Sequence, residues 1–155
     1  MMSKTSTSSA LQGLLSTQAG WSPLALRLPI GIIFVAHGAQ KLFGAFGGYG
    51  LEGTGQFMAS LGLQPGYLMA LLAGSAEFFG GLALILGLLV RPAAAALAFA
   101  MVVAILSAHI GNGLFMANKG YEFGLALLAA SVSLLISGAG RLSVDAELSA
   151  RVASR

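Results

Sequence analysis

No cysteine occurs anywhere in the chain. The protein therefore forms no disulfide, runs no dithiol chemistry and holds no iron–sulfur cluster through thiolates of its own. Cysteine usage gives no reading of compartment either. Charge is almost as scarce: 8% of the 155 residues are Asp, Glu, Lys or Arg, against roughly 25% in an ordinary soluble domain. Apolar residues make up 57%, and 22 residues are glycine. So little charge does not clothe a water-soluble surface, and the surrounding solvent is read as mostly lipid. The formal net charge is +3, but the basic residues form no stripe or cluster of the kind that tracks nucleic acid. The length fits a single domain.

Residues 1–20 are rich in Ser, Thr and Gln, with one basic residue, Lys4. They lack the basic start and continuous apolar core of a secretory signal and read as a flexible polar tail, partly ordered near Leu11 to Leu15. Four apolar segments follow, at about 24–43, 67–90, 93–110 and 121–137. At about 1.5 Å per helical residue, each covers roughly 25 to 35 Å, enough for a hydrocarbon core of about 30 Å. Only helices or closed barrels satisfy their backbones in lipid, and these runs are too long and continuous for barrel strands. The expected fold is an all-α integral membrane protein, a four-transmembrane-helix bundle over 21–142 with a short cytoplasmic helix or tail over 143–155. Val90-Arg91-Pro92 reads as the tight connection between the second and third spans. Pro92 suits a first helical turn.

Basic residues set the orientation. Lys4, Arg27, Arg91, Arg141, Arg151 and Arg155 fall on one side, and Lys41 and Lys119 on the other. This places both termini in the cytoplasm. Arg27 and Arg141 then mark the inner interface, and Trp21 and Tyr67 fit interfacial belts. Two loops face outward. In the first, Gly44 to Gly66, the stretch Thr54 to Leu61 reads as a short interfacial helix capped by Thr54. At the C-terminal end, Ser143 caps another short helix, whose positive end favours Asp145 and Glu147.

The polar residues inside this apolar frame are few. AHGAQKLFG, residues 36–44, closes the first span, and AHIGNGLF, residues 108–115, closes the third. Both hold Ala-His and Leu-Phe at the same internal spacing. The second and fourth spans share Glu77-Phe78 with Glu122-Phe123, and removing two residues from the second aligns the Gly-Leu-Ala-Leu that follows in both. The chain thus reads as two duplicated helical hairpins, each with a histidine on its outward helix and a glutamate on its inward one, related by a two-fold along the membrane normal.

His37 and Lys41 are four apart and share a helix face, with Gln40 beside them. Glu77 is the deepest ionisable residue, and an acid at mid-bilayer costs about 2.5 to 3.5 kcal/mol. Gly74, Gly80 and Gly81 let a neighbouring helix come close, so Glu77 faces protein. His109, Asn112, Tyr121 and Glu122, with Lys119 nearby, fall at the outer ends of the third and fourth spans. All of them can converge on one site open to the outer face of a bundle.

Several chemistries are open to such a cluster. Two His and two Glu are legitimate metal ligands, yet no two sit at i,i+3 or i,i+4 on one helix, so no metal site is assigned. Neither haem nor an iron–sulfur cluster is expected. A proton-coupled quinone pocket needs an apolar cleft, a His or Lys donor to a carbonyl oxygen and a carboxylate to relay protons, all of which are present. A buried interhelical ion pair that only fixes packing is the plain alternative.

At these residues the chain resembles the DoxX family of small bacterial membrane proteins. The likeness runs over about 24–146. It rests on LRLPIGIIFVAHGAQKLFGAFGG, on GSAEFFGGLALILGLLVRPAAA, on the His109 segment, on GYEFGLALL and on GAGRLSVDAEL. It implies four transmembrane helices. Family relatives include the large-subunit type of thiosulfate:quinone oxidoreductase and members tied to sulfur and oxidative-stress redox complexes, which implies a redox setting. The resulting expectation is a redox-associated subunit binding a quinone or similar apolar ligand in the outer half of the bundle. His37 and Glu77 would be catalytic, and Gln40, Lys41, His109, Asn112, Tyr121 and Glu122 would bind the ligand. A soluble or membrane redox partner would supply electrons, and glycine-rich faces would suit a homo-oligomer. The alternatives are a non-catalytic anchor or assembly subunit, or a small metal- or solute-handling membrane protein.

Overall fold

The computed structural model describes residues 12, 13, 15 and 19–153. Nearly all of the expected polar tail, with Lys4, lies outside the described residues, as does Arg155. Six α-helices carry the rest: α1 Ser22–Phe43, α2 Gly50–Ser60, α3 Gly66–Leu86, α4 Val90–Ala104, α5 Glu122–Ser137 and α6 Val144–Ala153. There is no strand among the described residues. Helix α4 runs on through a π turn, Ile105–His109, and a 3-10 turn, Ile110–Asn112. Three helical stretches are long and apolar enough to cross a membrane: Ser22–Phe43, Gly66–Leu86 and Val90–Asn112. Helix α5 is apolar but, at 16 residues, shorter.

Helices α1 and α3 approach each other at backbone level, and glycine makes the approach possible. A Cβ on Gly31 would meet the carbonyl oxygen of Gly81 at 2.8 Å, and one on Gly81 would meet Val35 N at 2.7 Å. One on Gly38 would run into the backbone of Phe78. Without a hydrophobic force between helices in lipid, such backbone-level packing is what holds them. Helix α4 packs on α3 and on α5. Phe34, Leu84, Val90, Leu97 and Leu134 fill the space between α1, α3, α4 and α5.

The hairpin between α3 and α4 turns at residues 87–89, three residues earlier than the expected Val90-Arg91-Pro92. Gly87 takes a left-handed conformation (φ 68°) and ends α3, and Leu88 N–H then reaches back to Ala83 O at 2.9 Å. Val90 to Pro92 instead form the first turn of α4. Helix α2 also starts earlier than expected, at Gly50, so Thr54 lies mid-helix and buried rather than capping it.

Two charged residues organise the end of the molecule near this turn. Arg27, expected at an interface, is only 1% exposed. It donates to Leu84 O (2.9 Å) and Ile85 O (2.6 Å) at the end of α3, and to Ala139 O (3.2 Å) and Leu142 O (2.5 Å) after α5. These carbonyls lie at a helix end or in a loop, where intrahelical donors run short, although Leu84 O also accepts from Gly87 N–H at 3.2 Å. Asp145, expected to favour its own helix, is buried and accepts from Leu89 N–H (2.7 Å) and Val90 N–H (2.9 Å), capping α4 instead. Ser143 caps α6 as expected, accepting from Ala146 N–H at 3.1 Å. Arg91 donates to Leu135 O and Ile136 O at the end of α5.

The glycine contact makes a sharp prediction. Gly38→Ala forces α1 and α3 apart and costs about 1–3 kcal/mol, read as a lower unfolding temperature in detergent. Gly111→Ala, where an added Cβ meets nothing within 4 Å, leaves that temperature unchanged. Equal behaviour of the two variants would refute the role given to Gly38.

Candidate functional site

The α1–α3 approach brings two of the expected site residues into direct contact. Lys41, in the last turn of α1, donates from Nζ to Glu77 Oε2 at 2.5 Å. Their side chains are 24% and 5% exposed. Gly74, one turn before Glu77 on the same side of α3, lets Leu42 and the stem of Lys41 lie against the helix backbone. The carboxylate therefore sits against protein, with its counter-charge supplied by the neighbouring helix. His37 is half-buried one turn below Lys41 and within electrostatic reach of both charges. Its ring packs against Phe123 of α5, with centroids 6.0 Å apart. Gln40 donates to Phe46 O at 3.4 Å, tying the glycine-rich turn after α1 to the helix end. Phe43 and Phe78 meet edge to face at 5.3 Å on the other flank of the pair.

The second set of expected residues is engaged elsewhere. His109 Nδ1 lies 2.8 Å from Lys119 O, which requires the Nδ1–H tautomer to donate. Asn112 donates to Ala108 O at 3.2 Å and to Lys119 O at 3.3 Å. Glu122 accepts from Met116 N–H at 2.5 Å, and Tyr121 N–H donates to Gly113 O at 3.1 Å. Together they hold the loop between α4 and α5. No hydrogen bond among the described residues joins this set to His37, Lys41 or Glu77; Phe123, next to Glu122, makes the ring contact with His37. No three His, Asp or Glu side chains among the described residues gather closely enough to hold a metal ion. Surface concavities among the described residues include one of about 260 Å³ beside Glu52, Gln56 and Tyr67 and one of about 570 Å³ beside Leu86, Leu142 and Val144. Neither is lined by Glu77.

The chemistry available at the pair follows from its donor count. A lysine ammonium has three N–H bonds, and Glu77 takes one of those on Lys41. The others remain for water or for a ligand oxygen, and His37 adds a second titratable group beside them. Sequence reasoning missed Phe123 as the partner of His37. Its place after Glu122 in the repeated Glu-Phe pair was the available signal. Arg27 and Asp145 were also missed as an interior network, because a basic residue one turn into a span and an acid in the first turn of a helix both have simpler interfacial readings.

Two of the segments that carry the family likeness, LRLPIGIIFVAHGAQKLFGAFGG and GSAEFFGGLALILGLLVRPAAA, hold the residues that build the α1–α3 contact. The family model for DoxX matches residues 22–110. The chain belongs to the DoxX family. It is 35% identical over 122 residues to the Bacillus subtilis (strain 168) protein named "Putative oxidoreductase CatD", covering 79% of this chain and 83% of that relative. It is 32% identical over 149 residues to "Uncharacterized membrane protein Rv3486" of Mycobacterium tuberculosis (strain ATCC 25618 / H37Rv), covering 89% and 88%. No solved structure matches it. With three helices of spanning length, this DoxX protein is a membrane protein.

Pairing across α1 and α3 can be tested by stability. Lys41→Met leaves the Glu77 carboxylate buried without its counter-charge and costs about 3 kcal/mol or more. Adding Glu77→Gln to that variant restores most of the loss. Thermal unfolding of the two single variants and the double variant in detergent measures this. A double variant no more stable than Lys41→Met would show that the pair does not hold the carboxylate.

Proposed function

We propose that this DoxX protein is a multi-pass inner-membrane protein with four membrane-spanning helices and both termini in the cytoplasm. In this reading it is a redox-associated subunit that binds a quinone, or a similar small apolar carbonyl compound, in the outer half of the bundle. The observation that carries the proposal is the buried Glu77 carboxylate held by Lys41, with His37 one turn away. An acid at this depth is costly and marks a functional position by default in membrane proteins. Lys41 and His37 hydrogen-bond a ligand oxygen. Glu77 and His37 carry protons between the ligand and the outer surface. Reduction of a quinone takes two electrons and two protons, so the electrons come from a soluble or membrane partner, the chain having no thiol. His109, Asn112, Tyr121 and Glu122 shape the outer mouth of the site, and Gln40 fixes the turn above it. The name of the Bacillus relative supports a redox setting. Helix α5, with its short length made up by flanking residues, serves as the fourth span beside α4.

A second reading has its own support. The ion pair is already closed at 2.5 Å, as a packing device between α1 and α3 in a non-catalytic assembly subunit would be. Mass spectrometry of small molecules extracted from protein purified in mild detergent separates the two. The first reading expects a quinone near one per chain in the wild type and none in a folded His37→Ala, Glu77→Gln variant. No enriched ligand in either sample favours the packing device.

Topology is open to a direct test, because a chain without cysteine accepts single ones. A membrane-impermeant maleimide applied to intact spheroplasts should label Gly111→Cys at once, and Ala150→Cys only after permeabilisation. The reverse pattern would invert the orientation.

A further inference from the structure

Two leucines near the Arg27–Asp145 network have a backbone that leucine rarely adopts. Leu89 (φ 49°) and Leu142 (φ 54°) are both left-handed, a conformation in which a Cβ crowds its own carbonyl. Such residues persist only where the surroundings over-determine them. Here the buried charges do so: Asp145 holds Leu89 N–H at 2.7 Å, and Arg27 holds Leu142 O at 2.5 Å. The result is to turn both side chains outward, Leu142 being 69% exposed. Leu86, Val144 and Leu148 are exposed beside them.

The level of this patch is fixed by the helices it joins. Leu89 lies in the turn between two helices long and apolar enough to span a membrane, so that turn sits where hydrocarbon gives way to water. Helix α6 is stitched to the same level, because Asp145 N–H donates to Gly87 O at 2.9 Å in the turn itself. Along α6, Val144, Leu148 and Val152 recur every fourth residue and form one stripe. Glu147 and Arg151 pair with each other at 3.1 Å beside that stripe. Arg141 is exposed next to Leu142.

We propose that Leu86, Leu89, Leu142, Val144 and Leu148 form an anchor that inserts into the boundary between headgroups and acyl chains, with α6 lying flat on the bilayer. The partner is a phospholipid surface. The patch continues the lipid-facing side of α3 through Leu86, and Arg141 and Arg151 stand at the height where phosphates lie. The C-terminal helix is then part of the membrane-bound body, not a tail in water. This inference rests on the membrane reading of α3 and α4 and is independent of any quinone.

Single cysteines in the full-length chain test it. Leu142→Cys and Leu148→Cys are compared with Glu147→Cys and Ala150→Cys. Each carries a nitroxide label and is reconstituted in vesicles of phosphatidylethanolamine and phosphatidylglycerol after eluting like the wild type. Collision with oxygen, which concentrates in lipid, is compared with collision with a nickel chelate, which stays in water. The expected result is a ratio of oxygen to chelate collision several-fold higher at 142 and 148 than at 147 and 150. Free access of the chelate to both 142 and 148 would overturn the proposal by placing the patch in water. Exclusion of both reagents there would overturn it by showing protein, such as a second copy of the chain, over the patch. Should Leu142→Cys not fold, Leu148→Cys carries the decision alone.

Discussion

The near-contact of two backbones, α1 against α3, underlies most of what this molecule does with charge. Gly31, Gly38 and Gly81 leave no side chain between the helices. The two ends of the crossing then present charged groups to partners on the opposite helix. At one end Lys41 meets Glu77. At the other, Arg27 reaches the last carbonyls of α3 at Leu84 and Ile85. Lengthen the interhelical distance by one methyl group and both arrangements lose their geometry together. In a low-dielectric surrounding, an ionic group set apart from its partner is far more costly than in water. The small residues therefore act on the electrostatics through distance.

The recurring Glu-Phe pattern places its two glutamates at different depths in their helices. Glu77 lies eleven residues beyond the start of α3, whereas Glu122 is the first residue of α5. At about 1.5 Å per residue, that difference amounts to roughly 16 Å of depth along the helix. Lys41 follows His37 by four residues, but Gly113 stands at the equivalent place after His109. The second hairpin thus keeps a histidine and a glutamate without the lysine. Its polar groups bind loop backbone instead, and the π turn at the end of α4 leads His109 into that loop. A similar sequence pattern therefore serves ion pairing in one copy and loop support in the other.

Much of this was legible in the sequence. Scarce charge and long apolar runs announced membrane helices, and the four-residue spacing of His37 and Lys41, opposite the one acid deep in a span, pointed to the pair that the structure shows. The glycines around Glu77 correctly implied a close neighbour. The turn position was less legible, because Pro92 is a loud signal for a helix start while Gly87 is one glycine among many. Arg27 and Asp145 were opaque for a different reason. Their partners are backbone atoms, which no side-chain pattern records, and those of Arg27 are distant in the chain. Phe123 was harder to read, because the repeated Glu-Phe pair marks its position while an aromatic residue in an apolar helix has no spacing that names His37 as its partner.

Distance along the chain has a consequence for how the protein is made. The last acceptors of Arg27, Ala139 O and Leu142 O, lie 112 and 115 residues downstream of it. The carboxylate that caps α4 follows the capped Val90 by 55 residues. A growing chain therefore delivers a guanidinium into the bilayer long before its last acceptors are synthesised, and leaves the start of α4 uncapped until the first turn of α6 is made. Synthesis of residues 139–145 is the event that closes both. For this fold, insertion of the early helices is followed by a later locking step, in which residues 139–145 take up groups left open since α1 and the start of α4 were made.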